Sequence, residues 1–282
     1  MLTAPWEKIL GVTKHTADLS RIHRREQKDG WQPVENRSAD GTKLRGTYIE
    51  NSRSSDRTVI LLHGLYQNRS MCIPYVDMYR DMGYNVLLID QRGHGESGGS
   101  HTTWGLRETD DLDAWTEWLR GKDGGVKIGM HGISLGAAMA LIYSGTERGK
   151  IFLSMWLTVL MGHDGTGEGQ DLRLYRRSPV FVGDGSRGAF FQSVLWLRSG
   201  KTLSDIDPLE AVRRMTAPVL FLTAARTHSF RRRRQRNCCR HQEAAKGTFI
   251  FDGAGHTMEM AVNGDAYRKA VRVFLESLSQ NM

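Results

Sequence analysis

The spacing of apolar runs predicts an α/β fold: a doubly wound, mostly parallel sheet with a lid-like insertion. Three observations carry the prediction. Apolar runs of strand length recur at residues 58–63 (TVILLH, a continuous run), 84–90 (YNVLLID), 126–131 (VKIGMH) and 217–222 (APVLFL). Continuous rather than alternating runs are what strands buried on both faces show. Segments with helical spacing separate them, and strands alternating with helices imply a parallel sheet. From His163 to Ser193, by contrast, Gly, Arg and Asp dominate without a period, at the place where such folds often insert a lid. The expected organisation is one domain over 1–282, with an N-terminal helical extension over 1–36 and an irregular lid-like insertion over 155–205.

The elements follow in order. Residues 1–30 read as an amphipathic leading helix with a basic stretch at Arg21, Arg24, Arg25 and Lys28. The turn signal Asp40-Gly41 introduces a strand over 41–50. Residues 71–82 read as a helix. Residues 104–119 read as another, with Trp104, Leu112, Trp115, Trp118 and Leu119 on one face. A further apolar run begins at Lys150. Asp205-Ile206-Asp207-Pro208 opens a short helix, with the aspartates as capping residues. Residues 247–251 form a strand, and 264–279 a closing helix. There is no internal repeat.

At 282 residues the chain is long enough to bury a sizeable core. A hydrophobic content of 39% and a mean hydropathy of −0.45 read as a soluble protein, and no run approaches the ~18 apolar residues of a membrane span. The opening MLTAPWEKILGVTKH lacks the basic-then-apolar order of a signal peptide. The three cysteines, Cys72, Cys238 and Cys239, are odd in number and two are adjacent. A disulfide framework is therefore not expected, and a reducing cytoplasmic location is. No Cys/His spacing resembles a zinc site. The net charge of +8 is largely local: Arg231, Arg232, Arg233, Arg234, Arg236 and Arg240 share one short window. Nucleic-acid patches interleave aromatics or ride on a recognisable motif, and this window offers Phe230 alone. It reads as a solvated or misread run rather than a nucleic-acid site.

The chemistry centres on residues 126–143, VKIGMHGISLGAAMALIY. A strand-like run meets Gly132-Ile133-Ser134-Leu135-Gly136, and an Ala-rich helical run follows at once. This is G-x-S-x-G in its required strand–turn–helix setting. The helix start aims free N–H groups at the turn, which favours developing negative charge. Ser134 is the candidate nucleophile, set against the bland alternative of an ordinary glycine-rich turn. A serine nucleophile needs a base, a carboxylate to hold that base, and donors for the oxyanion. His256, on the small-residue loop Gly253-Ala254-Gly255-His256 past the last strand, is the candidate base. The expected oxyanion donors are the N–H of Leu135 and the N–H of Leu65, which follows His63-Gly64.

Taken together, His63-Gly64, Asp90-Gln91-Arg92-Gly93-His94-Gly95-Glu96-Ser97, Gly132 to Gly136 and Gly255-His256 resemble the α/β-hydrolase superfamily. The nearest resemblance is to bacterial serine hydrolases of the serine-aminopeptidase-like and lysophospholipase-like groups. It covers 40–153 most densely, then 196–222 and 247 onward. The resemblance implies the α/β-hydrolase fold, a serine hydrolase acting on a carboxylic ester, amide or thioester through an acyl-serine, a small-molecule ester or acyl substrate, and no metal or organic cofactor. In that family the Asp90–Ser97 loop shapes the floor of the site, which leaves His94 and Ser97 outside the triad.

One part of the family pattern is missing. The acid belongs in the loop after the strand ending at Leu222, yet no carboxylate occurs from Thr223 through Asn237. Asp252, four residues before His256, is the remaining weak candidate. A shifted reading frame explains the gap: codons for Arg226 to Arg231 exist that, read from their third base, spell Asp-Thr-Phe-Val-Pro, the missing acid loop. Residues 155–161 can be treated likewise. The alternative reading is thus a catalytically impaired, hydrolase-like protein without a triad acid, the product of a frameshifted gene.

Overall fold

The computed structural model describes residues 18–152, 156–161, 201, 205–225, 246–252 and 258–280. The strands are β1 Gln32–Arg37, β2 Lys43–Ile49, β3 Arg57–Leu62, β4 Asn85–Asp90, β5 Lys127–Ile133, β6 Trp156–Met161, β7 Val219–Ala225 and β8 Lys246–Asp252. They form one eight-stranded sheet in the order β1-β2-β4-β3-β5-β6-β7-β8. β2 pairs antiparallel with both β1 and β4, and every pairing from β4 to β8 is parallel. The doubly wound, mostly parallel sheet expected from the sequence is therefore present.

Strand alternation divides the core into two layers. In β3, Ile60 and Leu62 face one layer while Val59 and Leu61 face the other. In β4 the split is Leu87 and Ile89 against Val86 and Leu88, and in β7 it is Val219 and Phe221 against Leu220 and Leu222. Each run is continuous in sequence because both faces are covered.

The helices are α1 Ser20–Asp29, α2 Ile73–Asp81, α3 Glu108–Lys122, α4 Leu135–Ser144, α5 Glu147–Phe152, α6 Pro208–Arg214, α7 Glu259–Val262 and α8 Gly264–Gln280. The first layer packs under α3 (Leu112, Trp115, Leu119) and α4 (Ala137, Ala140, Leu141). The second packs under α2 (Tyr75, Val76, Tyr79) and α8 (Tyr267, Val271, Phe274, Leu275), with Ile22 of α1 at its edge.

Three expected boundaries are corrected. The described helical segment at the N-terminus stops at Asp29, where Gly30 takes a left-handed turn at φ 68°. Residues 32–37 are the outer strand β1, not part of a helical extension reaching 36. Pro33 explains the change, because proline is excluded from a helix interior and tolerated in an edge strand. Helix α3 begins at Glu108 rather than Trp104, for a reason given below. Residues 156–161 are strand β6, seated between β5 and β7, not the start of an insertion. Of the remainder of the expected insertion over 155–205, residues 155, 162–200 and 202–204 lie outside the described residues.

Among the described residues no helix is long and apolar enough to cross a membrane, and no group of side chains could hold a metal ion. Cys72 is a free, buried thiol, and burial pushes its pKa upward. Cys238 and Cys239 lie outside the described residues, as do Arg231 to Arg240.

Candidate active site

Ser134 occupies the junction between β5 and α4, at φ 55° and ψ −113°. A non-glycine residue in this region costs of order 1–3 kcal/mol and persists where its surroundings over-determine it. The two motif glycines do this by lacking side chains. A Cβ on Gly132 would lie 2.4 Å from the Gly136 carbonyl oxygen and 2.5 Å from the Ala137 nitrogen. A Cβ on Gly136 would lie 2.4 Å from the Leu62 carbonyl oxygen and 2.7 Å from that of His63. The spacing of the motif thus lets β5 fold sharply into α4 while α4 rests on the end of β3. The Ser134 carbonyl accepts from Ala137 and Ala138, at 3.0 and 3.2 Å, and starts the helix. Leu135 is its first residue, so its N–H has no carbonyl one turn back to satisfy it.

The second turn leaves the end of β3 as His63-Gly64-Leu65-Tyr66-Gln67. The Gln67 N–H donates to the Gly64 carbonyl at 3.3 Å, with Tyr66 at φ 59°. A positive φ at the third position of such a turn is the type II pattern. Gly64 abuts the candidate nucleophile: a Cβ there would sit 3.6 Å from the Ser134 Cβ. Leu65 is the next residue. The structure therefore brings Ser134, Leu135 and the Gly64-Leu65 turn together.

His63 anchors this turn. Its Nδ1 lies 2.7 Å from the Gly64 carbonyl, and its Nε2 lies 3.1 Å from the Gln91 N–H. Nε2 must accept, so Nδ1 carries the proton and the ring is neutral. Burial, then neighbouring His94, pushes the His63 pKa down to about 3. The Gln91 side-chain amide adds a bond of 2.6 Å to the His63 carbonyl. Asn68 fixes the far end of the turn, accepting from the Ser70 N–H at 2.8 Å.

The Asp90–Ser97 loop is a scaffold of buried charge. The Asp90 carboxylate accepts from the N–H groups of Arg69 and Glu96, at 2.8 and 2.9 Å, and pairs with the Arg69 guanidinium. Arg69 also meets Glu96 and Glu26. Arg92 forms a second centre with Asp111 and Asp40. Ser97 donates to the Asp90 carbonyl at 2.6 Å and accepts from the Arg45 N–H at 2.9 Å. His94 and Ser97 are wholly buried.

The family profile described as the alpha/beta hydrolase fold matches residues 57–195, a span that contains both turns. The chain belongs to the α/β-hydrolase superfamily. It is similar to the uncharacterized protein YqkD of Bacillus subtilis (strain 168), with 28% identity over 253 residues, covering 86% of this chain and 79% of that one. Among solved structures it is similar to the Pyrococcus furiosus esterase Pf2001 (TM-score 0.66, 22% identity, 94% of this chain and 96% of that one). A second similar structure is XC6422 from Xanthomonas campestris, described as a serine hydrolase without a lid (TM-score 0.56, 15% identity, 87% and 95%).

In this α/β hydrolase β8 ends at Asp252, whose backbone stands opposite Ala225 of β7. His256 lies outside the described residues, as does the loop 226–245 where the family's acid belongs. The sequence reading missed what sets the start of α3. Glu108, fully buried at the start of α3, accepts from the hydroxyls of Thr102 and Thr103 and from the N–H groups of Thr103 and Gly105, at 2.6–2.8 Å. Burial opposes its ionisation, but these donors and nearby Arg92 outweigh it and hold the carboxyl below its usual range. This clamp folds 102–105 into a turn and delays α3 to Glu108.

Proposed function

We propose that this chain is a serine hydrolase that cleaves carboxylic esters through an acyl-serine intermediate. The observation that carries the reading is Ser134 held at φ 55° between a strand and a helix start, with the Gly64 turn against it. Similarity to Pf2001, an esterase, and to XC6422, a serine hydrolase, supports the same class. Ser134 Oγ attacks the acyl carbon while His256 takes its proton. The N–H groups of Leu65 and Leu135 receive the developing oxyanion, each worth roughly 3 kcal/mol to the transition state. His256 returns the proton to the departing alcohol, and water then cleaves the acyl-enzyme by the reverse proton path. Amides and thioesters are slower or rarer substrates of the same site.

The second reading, an impaired hydrolase, is favoured by one fact: the absence of any carboxylate from Thr223 through Asn237. Asp252, four residues before His256, is then the candidate acid. Loss of the triad acid costs about 10⁴ in kcat in the serine-protease example. This second reading, with the acid absent, therefore expects slow acylation by activated esters and little turnover of ordinary ones.

A fluorophosphonate probe tests the enzyme. The folded wild type should be labelled, and Ser134→Ala should not. Folded wild type that resists the probe refutes the proposal. Sequencing the gene across the codons for Arg226 to Arg231 decides whether a shifted frame removed the acid.

A further inference from the structure

The two proposed oxyanion donors are aimed by different structures. The Leu135 N–H starts α4, so the helix sets its direction. The Leu65 N–H belongs to the turn after β3, where no helix holds it. It shares a peptide group with the Gly64 carbonyl. A trans peptide is planar, with its C=O and N–H pointing opposite ways. Whatever fixes the Gly64 carbonyl therefore also fixes the direction of the Leu65 N–H.

Two donors reach that carbonyl. The Gln67 N–H lies 3.3 Å away, beyond the usual range for such a bond. The wholly buried His63 ring reaches it through Nδ1 at 2.7 Å and is the principal restraint. The ring is itself held: Nε2 accepts from the Gln91 N–H at 3.1 Å, and the His94 ring packs edge-on with 5.0 Å between centroids. The peptide one step earlier is fixed in the same way, by the Gln91 side-chain amide donating to the His63 carbonyl at 2.6 Å. Two successive peptides leading to Leu65 thus each carry a side-chain donor on their carbonyl, and Gln91 grips His63 twice. A donor on a carbonyl also polarises the amide and strengthens the N–H on its far side. Gly64 abuts Ser134, so a small rotation of these peptides moves the Leu65 N–H relative to the serine.

We propose that Gln91 and His63 are positioning residues which, acting in series, aim the Leu65 N–H at the developing oxyanion. The proposal rests on the serine-hydrolase reading above. An interaction made only in the transition state changes kcat and kcat/KM together and leaves KM alone. Loosening of the fold is read separately, in a thermal melt.

The test measures p-nitrophenyl butyrate hydrolysis by wild type, Gln91→Met, His63→Leu and His63→Asn, each first shown to be folded by a melt. Gln91→Met keeps the length of the side chain and loses the donor. His63→Leu and His63→Asn share a shape, but Asn can place an N–H where Nδ1 stands. In Gln91→Met and in His63→Leu, kcat and kcat/KM should fall together by at least about tenfold, with KM within about threefold of wild type. His63→Asn should recover at least about threefold over His63→Leu. If either donor-less variant does not fold, Gln91→Leu or His63→Met takes its place under the same thresholds. A smaller fall, a loss carried by KM, or a smaller recovery in His63→Asn overturns the positioning roles and leaves the hydrolase reading intact. A wild type that neither takes up the fluorophosphonate probe nor cleaves the ester overturns the hydrolase reading and these roles with it.

Discussion

Two turns meet at the candidate site, and they are held by different means. The turn after β5 is shaped by what is missing: Gly132 and Gly136 have no Cβ, and backbone from β3 and α4 fills the space. The turn after β3 is shaped by what is present: His63 bonded at both ring nitrogens, the Gln91 amide, and the Asn68 cap. The first is a steric lock, indifferent to protonation. The second is a polar lock that needs a neutral imidazole. A site whose two proposed oxyanion donors come one from each turn therefore has one donor set by packing and one set by hydrogen bonding.

The largest effect should come from adding a methyl to the steric lock. Gly136→Ala places a Cβ against two carbonyl oxygens of the β3 end. The expected loss is about 3 kcal/mol of stability, read by urea unfolding, with probe labelling down about 100-fold from the displaced serine. Retention of both would show that the close approach is not what shapes this turn.

Acid should act on the polar lock next. The folded pKa of His63 is depressed to about 3 against an ordinary 6.5. Between those values the unfolded chain binds the proton and the folded one does not, so stability falls as pH drops from 6.5 toward 3. The loss by pH 4 should reach up to about 3 kcal/mol. His131, also pushed down to about 3 by burial, acts in the same direction. Urea midpoints across pH 4–7 in wild type and His63→Gln separate the two, because the variant should lose part of the slope. Equal slopes would dismiss His63 as the acid-sensitive group.

The smallest effect belongs to Asn68→Ala, which removes the bond to the Ser70 N–H and should cost about 1 kcal/mol. A thermal melt detects it. A negligible shift would mean the turn is secured by His63 and Gln91 alone.

This contrast also explains what could be read in advance. The steric lock is written locally: glycines two positions either side of a serine, between a strand-like run and an Ala-rich helix, were enough to identify it. The parallel strands were equally legible, because burial on both faces leaves unbroken apolar runs such as Val59 to Leu62. The polar lock is not local. Gln91 is 28 residues from His63, and nothing in either neighbourhood announces the bond between them. Strand β6 was obscured for another reason: Trp156–Met161 pairs only with distant β5 and β7, and its sequence neighbours suggested an insertion. Trp104 misled as an apolar residue at helical spacing, whereas the buried Glu108 carboxylate sets the helix start.

Arg69 has a practical consequence for shortening this protein from its N-terminus. Its guanidinium is almost wholly shielded from solvent, and one of its three carboxylate neighbours, Glu26, is carried on the first described helix together with the buried Ile22. A deletion ending at residue 30 would strip away one counter-charge and uncover the others. The damage would be felt at the Asp90 loop, well inside the fold, and a trimmed variant beginning ahead of Ser20 is the safer boundary.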